Sequence, residues 1–369
     1  MLPTSPCFDP SGVANQDSDG RPRPDKPPLD PPAGHRRRCR DTGATRGPTM
    51  PIHPTLASRL PLLEGISSFR EFSENPDLAA RRRAYTDHPE YEAPAVATRT
   101  EQVPGPHGPV PVRIYPADPV GHAPCLVWMH GGAFSAGDLD TPEADWVARE
   151  LVARAGIVVV SVDYRLCTSG STYPVPLDDV VAAARWVREN ASSLDVDGTR
   201  ISIGGASAGG NLAAGATLRL RDEDDWAPAH LVLAYAVAHA VIPPASASLA
   251  ALMQDMPPPL RFPPDEWQFL ARNYLGGPIS TADGYAFPAL ATLEGLCPVL
   301  ALNAEYDDLR PSSEAFAGAL ALAGVNVRQV LVKTMLHGFL GRPANLEPVG
   351  AAIDLIAVTV ATVTERTRA

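Results

Sequence analysis

The chain has 369 residues, of which 45% are hydrophobic and 20% are charged, and these values are typical of globular proteins with a sizeable core. Its net charge of −11 argues against a nucleic-acid-binding protein, because such a protein needs a basic face to neutralise phosphates. The apolar runs reach strand length but not the roughly 18 to 20 residues of a membrane span.

Residues 1–49 differ in composition from the rest of the chain. They hold ten of the 40 prolines and show no apolar periodicity, so they cannot bury enough apolar surface to offset the entropy of ordering. We predict a disordered, Pro-rich leader there; the alternative is that Met50 is the true translation start. No apolar stretch follows the leader's charges, as a secretory signal requires, and the five cysteines include no C-x-x-C pair, so we expect a cytoplasmic protein.

From about residue 96, short apolar or β-branched runs alternate with helical patterns. The runs predict strands at residues 110–115, 126–129, 157–162, 201–203, 231–237, 299–302 and 327–332. The helical patterns cover residues 142–155, 176–190, 209–220, 312–323 and 347–363. This alternation predicts an α/β fold with a mostly parallel sheet covered by helices on both faces.

Two regions interrupt the alternation. Residues 50–95 are helical and moderately apolar, and residues 240–290 form a Pro-rich insertion in which Trp267, Leu270 and Tyr274 repeat at helical spacing. Open α/β sheets bind ligands at the carboxyl ends of their strands. We interpret the two regions as a helical cap over these strand ends; the alternative is simple packing onto the sheet domain.

Ser207 lies in the pentapeptide GASAG, residues 205–209, directly after the predicted strand 201–203. A nucleophilic serine on a sharp strand-to-helix turn needs small residues on both sides. The backbone N–H of Ala208 then points at the site from the N-terminus of the helix. The motif alone is weak, but the strand–turn–helix context indicates a nucleophile.

A serine nucleophile needs a base, and the base needs an orienting carboxylate, in the chain order serine, acid, histidine. His337 follows the last predicted strand and lies beyond all the candidate acids. The acid should follow the strand at residues 299–302, and Glu305, Asp307 and Asp308 all qualify by position. The residue pattern alone does not choose among the three.

A loop of the HGG type, HGGAF at residues 130–134, follows the strand at 126–129. Transition states of acyl transfer require backbone donors that are already in place where negative charge develops. Glycines let the backbone approach a substrate carbonyl closely. We therefore expect this loop to form the oxyanion hole that accompanies the serine turn.

From roughly residue 55 onward, the chain resembles the bacterial hormone-sensitive-lipase-like branch of the α/β-hydrolases, carboxylesterases with an HGGG-type oxyanion loop. The resemblance rests on motifs that occur jointly and in order: HGGAFSAGDLDT, VDYRL, YPVPLDDV, GGASAGGNLAA, DEWQFLARNYL, AEYDDLR and HGF. It implies the α/β-hydrolase fold, with a mostly parallel eight-stranded sheet flanked by helices and a helical cap. It also implies a serine esterase.

By this resemblance, Ser207 is the nucleophile, His337 the base and Asp307 the acid. The resemblance assigns the oxyanion hole to four residues, with the two donors among the first three left open: Gly131, Gly132, Ala133 and Ala208. The implied reaction is hydrolysis of short to medium acyl esters through an acyl-enzyme, with no cofactor and no metal. A small-molecule ester is then the partner, and homodimerisation is possible.

Two alternatives stay open from the sequence. Amide, carbamate or lactone hydrolysis uses the same residues, whereas a non-catalytic ligand-binding member tends to lose the base that His337 supplies here. The chain also departs from the family pattern after the acid, where Asp308 replaces the usual proline. We expect this extra carboxylate to raise the pKa of His337 if the two side chains lie close.

Overall fold

The computed structural model describes residues 51–117, 121–168 and 170–362. The leader predicted for residues 1–49 lies outside the described residues. These described residues group into one compact unit. Among the described residues, none of the helices combines the length and the apolar character needed to cross a membrane.

Eight strands form a single sheet. In chain order they are β1 (Arg99–Val103), β2 (Val110–Tyr115), β3 (Ala123–Met129), β4 (Val158–Val162), β5 (Val196–Ala206), β6 (Leu231–Ala234), β7 (Val299–Tyr306) and β8 (Val327–Leu336). The spatial order is β1-β2-β4-β3-β5-β6-β7-β8. Strand β2 pairs antiparallel with β1 and β4, and the remaining neighbours pair parallel. The mostly parallel eight-stranded sheet is thereby confirmed.

Strands β3 and β4 are almost entirely apolar because helices cover both faces of the sheet. All residues of β3 and β4 are buried, which is the pattern of parallel sheets in α/β proteins. The composition did not predict β1, since its sequence RTEQV is polar and largely exposed. Strand β1 forms one edge of the sheet and, among the described residues, pairs with β2 alone.

Ten helices accompany the strands in the described residues. They are α1 (Pro54–Ala57), α2 (Phe69–Glu74), α3 (Ala79–Thr86), α4 (Pro142–Ala155), α5 (Val175–Glu189), α6 (Ala208–Asp224), α7 (Ala247–Met253), α8 (Pro264–Leu275), α9 (Arg310–Leu322) and α10 (Glu347–Ala361). Helices α4 and α10 pack on one face of the sheet, and α5, α6 and α9 pack on the other. The five helices predicted after residue 96 correspond to these five.

The two regions that interrupt the alternation contact each other. Helices α1 to α3 lie in the first region, and α7 and α8 lie in the second. The rings of Phe69 and Phe262 are 5.0 Å apart, and the Arg70 backbone N–H donates to Glu266 Oε1 at 3.1 Å. On α8, Tyr274 stacks on Phe134 of the loop after β3, with ring centroids 3.9 Å apart. The apolar face of α8 therefore packs against the sheet domain.

Candidate active site

Ser207 occupies the turn between the end of β5 and the start of α6. Its backbone angles, φ 53° and ψ −117°, lie in a region that non-glycine residues rarely adopt. A Cβ at Gly205 would lie 2.4 Å from the Gly209 backbone, and one at Gly209 would lie 2.3 Å from the Met129 carbonyl oxygen. The small residues around Ser207 are thus required by the close approach of three backbone segments.

Three side chains from three strand ends meet above the sheet. Ser207 Oγ donates to His337 Nε2 at 2.9 Å, and His337 Nδ1 donates to Asp307 Oδ2 at 2.8 Å. The buried Asp307 carboxylate also accepts the Leu309 backbone N–H at 2.8 Å. The structure therefore brings the predicted nucleophile, base and acid into one hydrogen-bonded chain.

The three acids after β7 have different partners, which separates the alternatives that the residue pattern left open. Glu305 points toward β8, where it accepts the Thr334 N–H and binds Lys333 Nζ, both at 2.8 Å. Asp308 points toward the insertion at residues 240–290, where it binds Arg261 Nε at 2.7 Å. Of the three carboxylates, the one that reaches the imidazole is Asp307.

The condition under which Asp308 would raise the pKa of His337 is not met, because Asp308 pairs with Arg261. Burial by itself would lower the pKa of His337. The charge and the hydrogen bond of Asp307, together with the charge of Glu143, outweigh that effect and raise the pKa above the ordinary imidazole value. The second carboxylate that acts on the imidazole is therefore Glu143.

The oxyanion loop, residues 131–133, lies beside Ser207. The Gly131 N–H donates to Glu143 Oε2 at 2.6 Å. Gly132 and Ala133 have positive φ angles of 119° and 52°, and both line the cavity that contains Ser207. Ala208 lines it too and is the first residue of α6, where an N–H has no partner within the helix. The four predicted residues are together, but the Gly131 N–H already has an acceptor.

Glu143 is a site residue that the sequence analysis missed. It follows Pro142 in the first turn of α4, where an acid suits the helix dipole and so attracts no notice. A signal was nevertheless present: Glu143 precedes the buried Val147 and Leu151 by one and two helical turns. A carboxylate on the apolar stripe of a helix needs a buried partner.

Two neighbouring cavities meet at the oxyanion loop. The first, of about 130 Å³, is lined by Ser207 and His337, and residues 50–95 and 240–290 contribute Phe69, Phe262, Trp267 and Leu270. The second, of about 410 Å³, also touches Phe69, Gly132 and Leu270, and adds polar groups such as Asn273. Among the described residues, no cluster of three or more His, Cys, Asp or Glu side chains is arranged to hold a metal ion.

Comparison with known proteins agrees with this arrangement. Residues 126–341 match the family model described as alpha/beta hydrolase fold. The carboxylesterase NlhH of Mycobacterium tuberculosis is 37% identical over 234 residues, which cover 62% of this chain and 71% of that protein. The esterase LipI of the same species is 33% identical over 265 residues, which cover 69% and 77%.

A solved structure supports the same relationship. The hyperthermophilic esterase from Pyrobaculum calidifontis superposes with a TM-score of 0.70 at 30% sequence identity, covering 85% of this chain and 98% of that one. With the family match, the two mycobacterial relatives and the shared fold, the chain belongs to the hormone-sensitive-lipase-like carboxylesterases of the α/β-hydrolase superfamily.

Proposed function

We propose that this serine carboxylesterase hydrolyses esters of short to medium acyl chains through an acyl-enzyme on Ser207. The observation that carries the proposal is the hydrogen-bonded chain from Ser207 through His337 to Asp307. We assign these three residues as the catalytic triad.

In the first step, His337 Nε2 accepts the proton of Ser207 Oγ while the oxygen attacks the ester carbonyl carbon. Asp307 keeps the proton on Nδ1 and stabilises the imidazolium that forms. The imidazolium then protonates the leaving alcohol oxygen as the C–O bond breaks. A water molecule repeats the sequence on the acyl-enzyme, which releases the carboxylic acid and restores Ser207.

The negative charge on the carbonyl oxygen needs donors in both steps. We propose the N–H groups of Gly132, Ala133 and Ala208, because all three residues line the cavity. Gly131 is the least suited of the predicted donors, since its N–H is hydrogen-bonded to Glu143.

The cap regions, residues 50–95 and 240–290, are proposed to select the acyl chain. Their aromatic and aliphatic side chains close the cavity of about 130 Å³ around Ser207, which is smaller than the ~300–1,000 Å³ of pockets for drug-sized ligands. A short acyl group fits this space, and the larger neighbouring cavity of about 410 Å³ is then available to the alcohol part.

We also propose that the chain forms a homodimer through β8 and α10. Strand β8 lies at an edge of the sheet, where unpaired N–H and C=O groups favour pairing with another strand. A groove of about 620 Å³ runs between β8 and α10, and Val358 on its rim is 61% exposed. A dimeric mass in light scattering that becomes monomeric in Val358→Arg is the expected result; a monomeric wild type contradicts it.

We also propose a cytoplasmic location. The thiols of Cys125 and Cys167 are free and buried, which suits a reducing compartment. Activity in the soluble fraction of spheroplasts, rather than in the medium or the periplasmic fraction, is the expected result.

The catalytic assignment is tested with Ser207→Ala on p-nitrophenyl acetate, where we expect near-total loss of hydrolysis. A matched control is Ser202→Ala, which removes a buried serine within β5 whose hydroxyl lies 3.4 Å from a histidine nitrogen, His230 Nδ1. Retained activity in Ser207→Ala would refute the assignment. A parallel panel of an anilide, a carbamate and a lactone separates ester hydrolysis from the other reactions of the same triad.

A further inference from the structure

Glu143 is a buried carboxylate that lines the same cavity as Ser207 but belongs to no step of the proposed reaction. Burial of a carboxylate is costly unless hydrogen bonds compensate for the lost water. Its two oxygens have different donors: the Gly131 backbone N–H at 2.6 Å and the Tyr235 hydroxyl at 2.5 Å. Both donors belong to loops at the active site.

The contact with Gly131 explains why glycine stands there. A Cβ at position 131 would lie 2.5 Å from Glu143 Oε2 and 3.1 Å from Ser207 Cβ. The carboxylate thus takes the space of a side chain and fixes the first peptide of the oxyanion loop. This anchor determines where the next two N–H groups point.

The contact with Tyr235 leads to the loop that carries the base. The Tyr235 ring packs on the His337 ring, with centroids 5.0 Å apart, and its hydroxyl accepts the Leu340 N–H at 3.3 Å. Tyr235 has a positive φ of 37°, a conformation that persists only when surrounding contacts impose it. Glu143 therefore connects the oxyanion loop, through one phenol, to the loop of His337.

The charge of Glu143 also acts on the base. Two titratable groups contact His337 from separate elements, Asp307 after β7 and Tyr235 after β6. A third, Glu143 on α4, lines the same cavity as His337. Burial lowers the pKa of His337, whereas the two carboxylates raise it. A positive imidazolium forms in each step of the proposed reaction, so a second negative charge stabilises that state.

We propose that Glu143 is a positioning residue: its carboxylate anchors the oxyanion loop, ties it to the loop of His337, and places a second negative charge near the imidazolium. This inference rests on the proposed function, since it concerns the same reaction. It adds to the triad a fourth group, which acts through Gly131, Tyr235 and His337.

The experiment compares Glu143→Gln with wild type in kcat, KM and the pH profile of kcat/KM on p-nitrophenyl acetate. Glutamine keeps the shape of the side chain but removes its charge. We expect kcat to fall on the order of tenfold, less than the loss of a whole oxyanion donor, with little change in KM. The acidic limb of the profile should move to lower pH, because the pKa of His337 loses one of the charges that raise it.

Tyr235→Phe separates the two effects, since it keeps the ring on His337 and the charge of Glu143 but breaks the hydrogen bond between the loops. We expect kcat to be several-fold lower, with the acidic limb of the pH profile at its wild-type position. The matched control is Glu150→Gln, another buried carboxylate of α4 that accepts a tyrosine hydroxyl, that of Tyr91. It should leave both kcat and the limb unchanged.

The pH at which the acidic limb of kcat/KM lies does not depend on the fraction of folded enzyme. It therefore tests the role of Glu143 even where a variant folds poorly. A limb that stays in place in Glu143→Gln overturns the proposal, and so does an unchanged kcat in Tyr235→Phe. If Ser207→Ala is inactive, both results reject the role of Glu143 and leave the proposed function in place. An active Ser207→Ala would instead overturn the proposed function.

Discussion

The floor and the roof of the substrate cavity are built in different ways. The floor consists of turns at the ends of β5, β7 and β8, where hydrogen bonds and close backbone contacts determine each residue. The roof consists of short helices and turns that contribute apolar side chains such as Phe69 and Leu270. Substitutions in the floor should therefore change the rate of the reaction, whereas substitutions in the roof should change which esters are hydrolysed.

The sharpest test of the floor uses two adjacent acids. Asp307→Asn should lower kcat by ~10⁴-fold, because an amide cannot keep His337 in the required tautomer. Steady-state kinetics on p-nitrophenyl acetate, with circular dichroism to confirm folding, measures this effect.

Asp308→Asn is the matched control in the same turn. Its carboxylate binds Arg261 of the roof at 2.7 Å, so kcat should stay near the wild-type value. The ion pair is partly exposed, and its loss should cost at most about 1 kcal/mol of unfolding free energy. A large fall in kcat in Asp308→Asn, or a small one in Asp307→Asn, would reverse the assignment of the acid.

Leu270→Ala tests the roof. It enlarges the cavity around Ser207, so the ratio of kcat/KM for p-nitrophenyl hexanoate to that for the acetate should rise about tenfold. Leu275→Ala, at the end of the same helix, removes an equally large buried side chain that does not line the cavity. If the ratio of kcat/KM for the hexanoate to that for the acetate is the same in the two variants, α8 does not select the acyl chain.

The smallest expected effect is the pH dependence of the wild type. The pKa of His337 is raised in the folded protein, chiefly because Asp307 outweighs burial. The contribution of this pKa shift to the free energy of unfolding is fully present below about pH 6.5, the ordinary pKa of an imidazole in an unfolded chain. It is lost as the pH rises through the pKa of His337 in the folded protein. Since the base acts when it is deprotonated, the acidic limb of kcat/KM should lie above ~6.5.

A comparison of Tm between wild type and His337→Gln across this pH range checks the stability part. The margin by which the Tm of the wild type exceeds that of His337→Gln should shrink as pH rises, while the wild-type activity increases. An acidic limb below the ordinary imidazole value would contradict the account of the charges around His337.

Features whose geometry permits few residues could be predicted from the sequence. The turn at Ser207 and the oxyanion loop require small residues for close backbone approach, and this leaves a recognisable motif. The acid could not be chosen by pattern, because Glu305, Asp307 and Asp308 lie within four positions and differ only in the partners they meet in space. Family resemblance was needed to prefer Asp307.

The roof was harder to predict, because helical periodicity identifies an apolar face but not what covers it. Trp267 and Leu270 line the cavity, whereas Tyr274 of the same face stacks on Phe134 instead. Phe69 comes from a helix almost 200 residues earlier in the chain. Contacts between such distant segments leave no local pattern in the sequence.

The central claim, that Ser207 is the nucleophile activated by His337, is tested most directly by covalent labelling with a p-nitrophenyl phosphonate and peptide mass spectrometry. We predict a single adduct on Ser207, none at this position in Ser207→Ala, and labelling slowed by several orders of magnitude in His337→Ala. An adduct on another residue, or wild-type labelling kinetics in His337→Ala, would contradict the account.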